Sequence, residues 1–124
     1  MAGAAADDDP SISDDALFWR RVHPDHIVLD ENLGRQRPSS QEFRDDELSV
    51  ILAEPGRQPA TALEAHPGRF LVAIGAHELR QRGLAITRDP TDDEPAHCVV
   101  LGKKTRSTAE GLARAAVWVV PPPE

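Results

Sequence analysis

The segment CVVLGKKTRSTAEGLARAAVWVV, residues 98–120, carries the clearest fold signal in the chain. An apolar run at residues 98–101 is followed by apolar residues at helical spacing and then by a second apolar run at residues 117–120. Ser107, three residues before Glu110, has the spacing of a capping box at the start of the helix. The connection is long enough for a crossover helix, so the segment predicts a C-terminal βαβ-like unit.

Shorter elements precede this unit. Leu48, Val50 and Leu52 alternate with polar positions as in a strand, and residues 70–74 are apolar throughout, which is typical of a strand covered on both faces. Residues 76–82 have the pattern of a short helix ended by Gly83. Residues 13–22 are compatible with either a helix or a strand. The pattern predicts an α+β fold with a small mixed β-sheet, short helices and the βαβ-like unit.

A chain of 124 residues is long enough for one domain. Residues 1–13 offer almost nothing to bury and predict a disordered acidic N-terminal arm. Residues 14–120 form the predicted α+β domain, and residues 121–124 are a Pro-rich tail. The net charge of −7 comes largely from five aspartates near the N-terminus: Asp7, Asp8, Asp9, Asp14 and Asp15.

Composition disfavours several functional classes. The body of the chain is nearly neutral, which is unfavourable for general nucleic-acid binding, because that binding depends on neutralising phosphates with Lys and Arg. Cys98 is the lone cysteine, so no intramolecular disulfide can form. The N-terminus lacks the basic and apolar regions of a secretory signal, and no apolar run approaches the roughly 18 residues of a membrane span. We expect a cytoplasmic protein with no membrane association.

The strongest indication of a ligand site is a cluster of basic residues. Lys103, Lys104 and Arg106 converge with Ser107 at the predicted helix start, where the helix dipole also favours an anion. A second basic and hydroxyl-rich approach, at Arg37, Ser39 and Ser40, precedes another predicted helix turn. The sequence therefore predicts a phosphate or carboxylate site. A solvated basic turn is the alternative, and the sequence does not show whether the two segments meet.

Other chemical signatures are incomplete. The chain does not match the P-loop pattern, because His97 stands where the pattern has Gly and Lys104 where it has Ser or Thr. No serine lies in a nucleophile elbow. His23-Pro24-Asp25-His26 lacks the spacing of known zinc motifs, and the acidic loop, residues 88–96, lacks the pattern of a calcium loop. We therefore predict no metal and no cofactor, with the acidic loop solvated.

Three blocks, Trp19 to Pro24, Arg37 to Asp45 and Leu48 to Val50, resemble those of short uncharacterised bacterial proteins without an established activity. The likeness extends through Ala96 and His97 to the Trp118 strand. It implies an intact domain and no mechanism.

The expected function is that of a cytosolic bacterial accessory or binding protein that engages a protein partner or a small anionic ligand. The alternative is a nucleotide-dependent transferase-type enzyme, conceivably a toxin or its immunity partner. Arg20, Arg21, His23 and Ser40 would then contribute to the site. Clustering of Arg20, His26 and Ser40 with an acidic residue in one pocket would favour the enzyme.

Overall fold

A computed structural model describes residues 8–123 of the chain. Within that range the strands are β1 Leu17–Val22, β2 Ile27–Asp30, β3 Arg35–Pro38, β4 Glu47–Leu52, β5 Phe70–Gly75, β6 Ala85–Arg88, β7 His97–Leu101 and β8 Val117–Val120. The α-helices are α1 Pro59–Leu63, α2 Ala76–Gln81 and α3 Arg106–Ala115. Short 3₁₀ turns occupy Pro24–His26 and Ser40–Phe43.

Six strands form one sheet in the order β6-β7-β4-β1-β5-β8, and β2 and β3 form a separate hairpin. The order of the strands in the sheet differs from their order along the chain, and each neighbouring pair is antiparallel. Successive antiparallel pairings through β4, β1 and β5 leave β8 parallel to β7, with α3 connecting them. The α+β class predicted from the sequence is confirmed, and the segment of residues 13–22 contains a strand.

Helices cover one face of this sheet. Phe18 and Val72 from the strands pack with Leu79 of α2, Leu112 of α3 and Phe43 of the second 3₁₀ turn. Each is almost fully buried, and burying a side chain of this size contributes about 1.5–3 kcal/mol. This cluster is the main core of the domain.

The start of α3 differs from the sequence prediction. Thr105 caps the helix, because its Oγ1 accepts a hydrogen bond from the Thr108 N–H at 3.2 Å. Ser107 therefore lies within the first turn and is not the cap. The predicted apolar face is confirmed at Ala109, Leu112 and Ala113, which are all buried.

The opposite face of the sheet is covered less completely. Trp19, Ile51 and Leu71 pack there against Ala62 of α1 and Ala96 of the acidic loop. Because α1 spans five residues, it covers only part of the face. Partly buried apolar side chains and polar ones, among them Arg21 and His97, occupy the rest.

Residues 8–13 are ordered and packed, contrary to the predicted disordered arm. Asp9 donates its N–H to the carbonyl of Ile86 in β6 at 2.8 Å, and the Asp8 carboxylate accepts the Ile86 N–H at 2.9 Å. Ile12 is buried in the main core. The sequence prediction placed these aspartates in a disordered arm, whereas here Asp8 and Asp9 pair with basic side chains. Residues 1–7 of the predicted arm and Glu124 of the predicted tail lie outside the described residues.

Two arginines hold this segment in place. Arg80 of α2 forms ion pairs with Asp8 at 3.2 Å and with Asp14 at 2.7 Å, and Arg88 pairs with Asp9 at 3.2 Å. These contacts attach an acidic segment that contains turns to the β6 edge of the sheet. The edge is thereby covered.

We expect Asp8→Ala to lower the free energy of unfolding by about 1–3 kcal/mol, because it leaves the Ile86 N–H without its acceptor and Arg80 without one partner. Asp15→Ala removes an equal charge from an exposed position and should change the same quantity by less than about 0.5 kcal/mol. Urea denaturation of both variants measures the difference. Equal stability of the two would show that the segment does not contribute through these bonds.

Candidate functional site

Lys104 is not available to a ligand in this structure. Its side chain is 5% exposed, and its Nζ donates to the carbonyl oxygens of Val100 and Gly102, both at 2.9 Å. Burial lowers the pKa of the Lys104 amine, which Asp46 and Asp45 partly oppose. The amine satisfies carbonyl groups where β7 passes into the α3 connection, so its role is structural.

The other residues of the predicted lysine site remain at the surface. Lys103 and Ser107 are exposed, and Arg106 is 82% exposed with its Nε directed to Glu110 at 3.3 Å. None of them lines the cleft or the groove described below. They form a solvated basic turn.

The second predicted segment uses its polar groups locally. Arg37 pairs with the buried Asp30 at 2.7 Å, and this hydrogen bond holds the pKa of Asp30 below its usual value. The Ser39 hydroxyl accepts from the Gln41 N–H, and the Ser40 hydroxyl accepts from Arg44. These contacts leave no assembled anion site.

The two predicted segments lie near opposite ends of α3. Asp30, the partner of Arg37, is also 3.8 Å from Arg114 in the last turn of the helix. Lys103 and Lys104 precede its first turn, and ten helical residues span roughly 15 Å. The structure therefore does not bring the two segments together.

A buried carboxylate gathers some of the residues of the enzyme alternative. Glu42 accepts the His23 N–H at 2.9 Å and lies 3.1 Å from His26 Nδ1 and 3.6 Å from Arg20. It is 4% exposed and joins β1 to both 3₁₀ turns. Ser40 is bonded to Arg44 instead. The cluster thus lacks the serine and does not line the cleft described next.

The other face of the sheet carries a more open polar site. A cleft of about 550 Å³ lies between α1 and the acidic loop, a volume in the range of small-molecule sites. Arg21 of β1 and His97 of β7 form part of it, with Arg57, His66 and Glu94 around them. We call this the Arg21 cleft.

One ion pair spans the Arg21 cleft. Arg57 donates two hydrogen bonds to the Glu94 carboxylate, one from each terminal nitrogen. These bonds lower the pKa of Glu94 and raise that of Arg57. The charge of Glu94 is therefore largely committed to Arg57. The acidic loop is not simply solvated as predicted, because this carboxylate belongs to the wall of the cleft.

Arg21 has no such partner within residues 8–123. Its Nε donates to the Ala62 carbonyl at 2.6 Å, which orients the guanidinium without neutralising it. Burial lowers the pKa of Arg21, and Arg20, Arg57 and Arg69 lower it further against the attraction of Glu94. The lining holds two arginines and three acids, Glu64, Asp93 and Glu94, so the positive charge is local to the Arg21 guanidinium.

The two histidines of the cleft make different contacts. Burial, Arg21 and Arg69 lower the pKa of His66 from 6.5, so its ring is neutral at pH 7. His97 Nδ1 lies 2.8 Å from the Asp89 carbonyl oxygen, which can only accept, so this nitrogen carries the proton. Each ring can thus offer polar atoms to a ligand beside Arg21.

This arrangement suits an anion better than a metal. Guanidinium groups bind carboxylate and phosphate oxygens through paired N–H donors, and Thr61 and Thr91 add hydroxyls to the cleft. Within residues 8–123, no group of three or more His, Cys, Asp and Glu side chains is placed to hold a metal ion. The same residues contain no helix suited to crossing a membrane.

Sequence reasoning considered Arg21 and His97 separately and missed the cleft. Its residues come from three distant parts of the chain, residue 21, residues 57–66 and residues 91–97, and only the fold brings them together. Arg57 lies in a loop rich in Pro and Gly, and nothing in its local pattern points to Glu94.

In comparisons with known proteins, no family model, curated sequence or solved structure matches this chain. The proposal for its function therefore rests on the chemistry of its own side chains.

We expect Lys104→Ala to lower the free energy of unfolding by about 1–3 kcal/mol, because two carbonyl groups lose their donor. The matched variant, Lys103→Ala, changes an exposed lysine and should stay within about 0.5 kcal/mol of the parent. Thermal denaturation distinguishes the two. Similar melting of both variants would contradict the structural role of Lys104.

We expect Glu94→Gln to destabilise the protein at pH 7 by about 1–3 kcal/mol, because it leaves Arg57 without its counter-charge. The pKa of Glu94 is lowered from 4.5, so its contribution is present above that pH and is lost as the pH falls through the lowered value. Denaturation between pH 7 and about pH 3 should show the difference from the parent shrinking in acid. A constant difference would contradict the ion pair as its source.

Proposed function

We propose that this chain is a cytosolic bacterial binding protein that takes a small phosphate- or carboxylate-bearing ligand in the Arg21 cleft. The observation that carries the proposal is the state of Arg21, which is oriented by the Ala62 carbonyl and surrounded by other guanidiniums. An anion bound there would supply the negative charge that Arg21 does not receive from an ion-pair partner within residues 8–123. Arg21 and Arg57 line the cleft together with three acids, so the proposal rests on Arg21 itself and not on the net charge of the lining.

The pair of Arg57 and Glu94 supports the same proposal. Because Glu94 accepts both terminal nitrogens of Arg57, it is held away from Arg21 as a direct partner. Arg57 Nε is buried without a hydrogen-bond partner within the described residues. The neutral His66 ring avoids adding charge while retaining hydrogen-bonding atoms. The ligand would thus meet the Arg21 guanidinium and several neutral polar groups, with the exposed carboxylates of Glu64 and Asp93 also in the lining.

The transferase alternative gains less support. Of Arg20, Arg21, His23 and Ser40, Arg21 alone lines the cleft, and His23 and Arg20 are associated with Glu42 instead. The serine of that set, Ser40, is bonded to Arg44 and does not line the cleft. We therefore favour binding over catalysis.

Ligand binding is tested by thermal shift with inorganic pyrophosphate, ATP and citrate as separate probes. A ligand at 100 times its Kd stabilises the native state by about 2.7 kcal/mol, so a bound probe should raise the melting temperature. Arg21→Gln should weaken that binding by about tenfold or more, because a charged hydrogen bond contributes about 1.5–3 kcal/mol. Each shift is compared with the same variant without ligand, since Arg21→Gln also alters the bond to Ala62.

Arg106→Gln is the matched control, because Arg106 is exposed and lies outside the cleft. It should retain the full shift. Equal shifts in the Arg21 and Arg106 variants would place binding elsewhere, and no shift with any of the three anions would count against the proposal.

A further inference from the structure

The two edges of the main sheet are treated differently. At β6, residues Asp8 and Asp9 cover the backbone of Ile86 and pair with Arg80 and Arg88. At the other edge, β8 is bonded to β5 on one side, and its outer side has no backbone hydrogen bond within residues 8–123. A strand left in this way presents alternate N–H and C=O groups for pairing.

A groove of about 420 Å³ lies beside β8. Its walls come from Trp118 of β8, Gln36 of the β2–β3 hairpin and Pro122 of the tail, and the indole N–H of Trp118 donates to the Gln36 carbonyl at 3.0 Å. Leu29 also lines the groove and is 69% exposed. We call this the β8 groove. It places an apolar surface next to unpaired strand backbone.

The charge at the β8 groove is positive. Arg35 lines it and forms no ion pair within the described part of the chain, while its Nη2 lies 3.5 Å from the Arg114 carbonyl. Arg114 is also exposed and is held only loosely by Asp30, at 3.8 Å. Among the described residues that line the groove, Arg35 carries the one charge, and the exposed Glu31 lies on the hairpin turn outside the lining.

The geometry points to the β8 groove as a docking site for an extended acidic segment of a partner protein. The segment would pair with the β8 backbone, place an apolar side chain against Leu29 and Trp118, and direct a carboxylate to Arg35. The β6 edge offers a partial precedent in the same molecule, because Asp8 and Asp9 bind the backbone of Ile86 there and pair with Arg80 and Arg88. A second copy of this chain fits less well, since a symmetric β8 pair would bring like-charged arginines together.

The length of the partner segment follows from the strand. β8 contains four residues, and Pro121 follows it without an N–H to donate. The pairing is therefore short, about four residues, and depends on the groove and on charge for its strength.

The test uses two synthetic peptides, EVDVEV and KVKVKV, at up to millimolar concentration. Hydrogen exchange should show protection of the Val117–Val120 amides with EVDVEV and none with KVKVKV. Arg35→Glu should weaken EVDVEV binding by about tenfold and permit KVKVKV binding, because like charges across an interface repel. The side chain of Arg35 is exposed, so the variant should fold, and its melting without peptide checks this.

Lys103→Glu is the matched control, since it makes the same change in net charge at an exposed lysine away from the groove. It should leave EVDVEV binding unchanged, as should Arg21→Gln, which separates this site from the Arg21 cleft. Equal binding of both peptides, or no protection of β8 by EVDVEV, would overturn the proposal. Self-association of the protein with protection of β8 in the absence of peptide would identify a second copy as the occupant and would also overturn it.

Discussion

A sheet has two faces, and the helices of residues 8–123 cover one of them more completely than the other. α2, α3 and the turn at Ser40–Phe43 seal the main core, whereas α1, with five residues, lies on the other face. Polar side chains, among them Arg21 and His97, lie on the part of that face that water reaches. The Arg21 cleft is the result, and its charges are arranged by the strands that cross beneath it. The possible ligand site thus follows from an imbalance in the coverage of the sheet.

Buried charges hold the covered face together in a different way. Glu42 accepts from His23 and lies beside Arg20 and His26, and Lys104 donates to two carbonyl groups. Each charged group has hydrogen-bonding partners, as burial demands. Such groups resemble functional residues in a sequence, since both are charged and lie beside turns. These groups form hydrogen bonds or ion pairs within the protein. Arg21 differs, because its terminal nitrogens have no hydrogen-bond partner within residues 8–123.

The sequence predicted the fold class and most strands because their apolar patterns are local. The βαβ-like unit, the strand at Leu48–Leu52 and the helix at Ala76 were all visible in that way. Lys104 was misinterpreted because adjacent lysines give no sign of which one is buried. The prediction that Asp8 and Asp9 are disordered is wrong because their partners, Arg80 and Arg88, are distant in sequence and give no local signal. The Arg21 cleft depends wholly on such distant contacts.

The crossover of α3 also orders the assembly of the molecule. β7 and β8 are close in sequence but occupy positions separated by β4, β1 and β5, so β8 has no place to pair until β5 is in the sheet. Contacts that require a preassembled surface form late, because chain entropy is lost before they are made. We therefore expect β8 to join last during folding and to detach among the first elements in native-state fluctuations. Opening of this terminal strand would expose the β5 edge while the centre of the sheet stays intact.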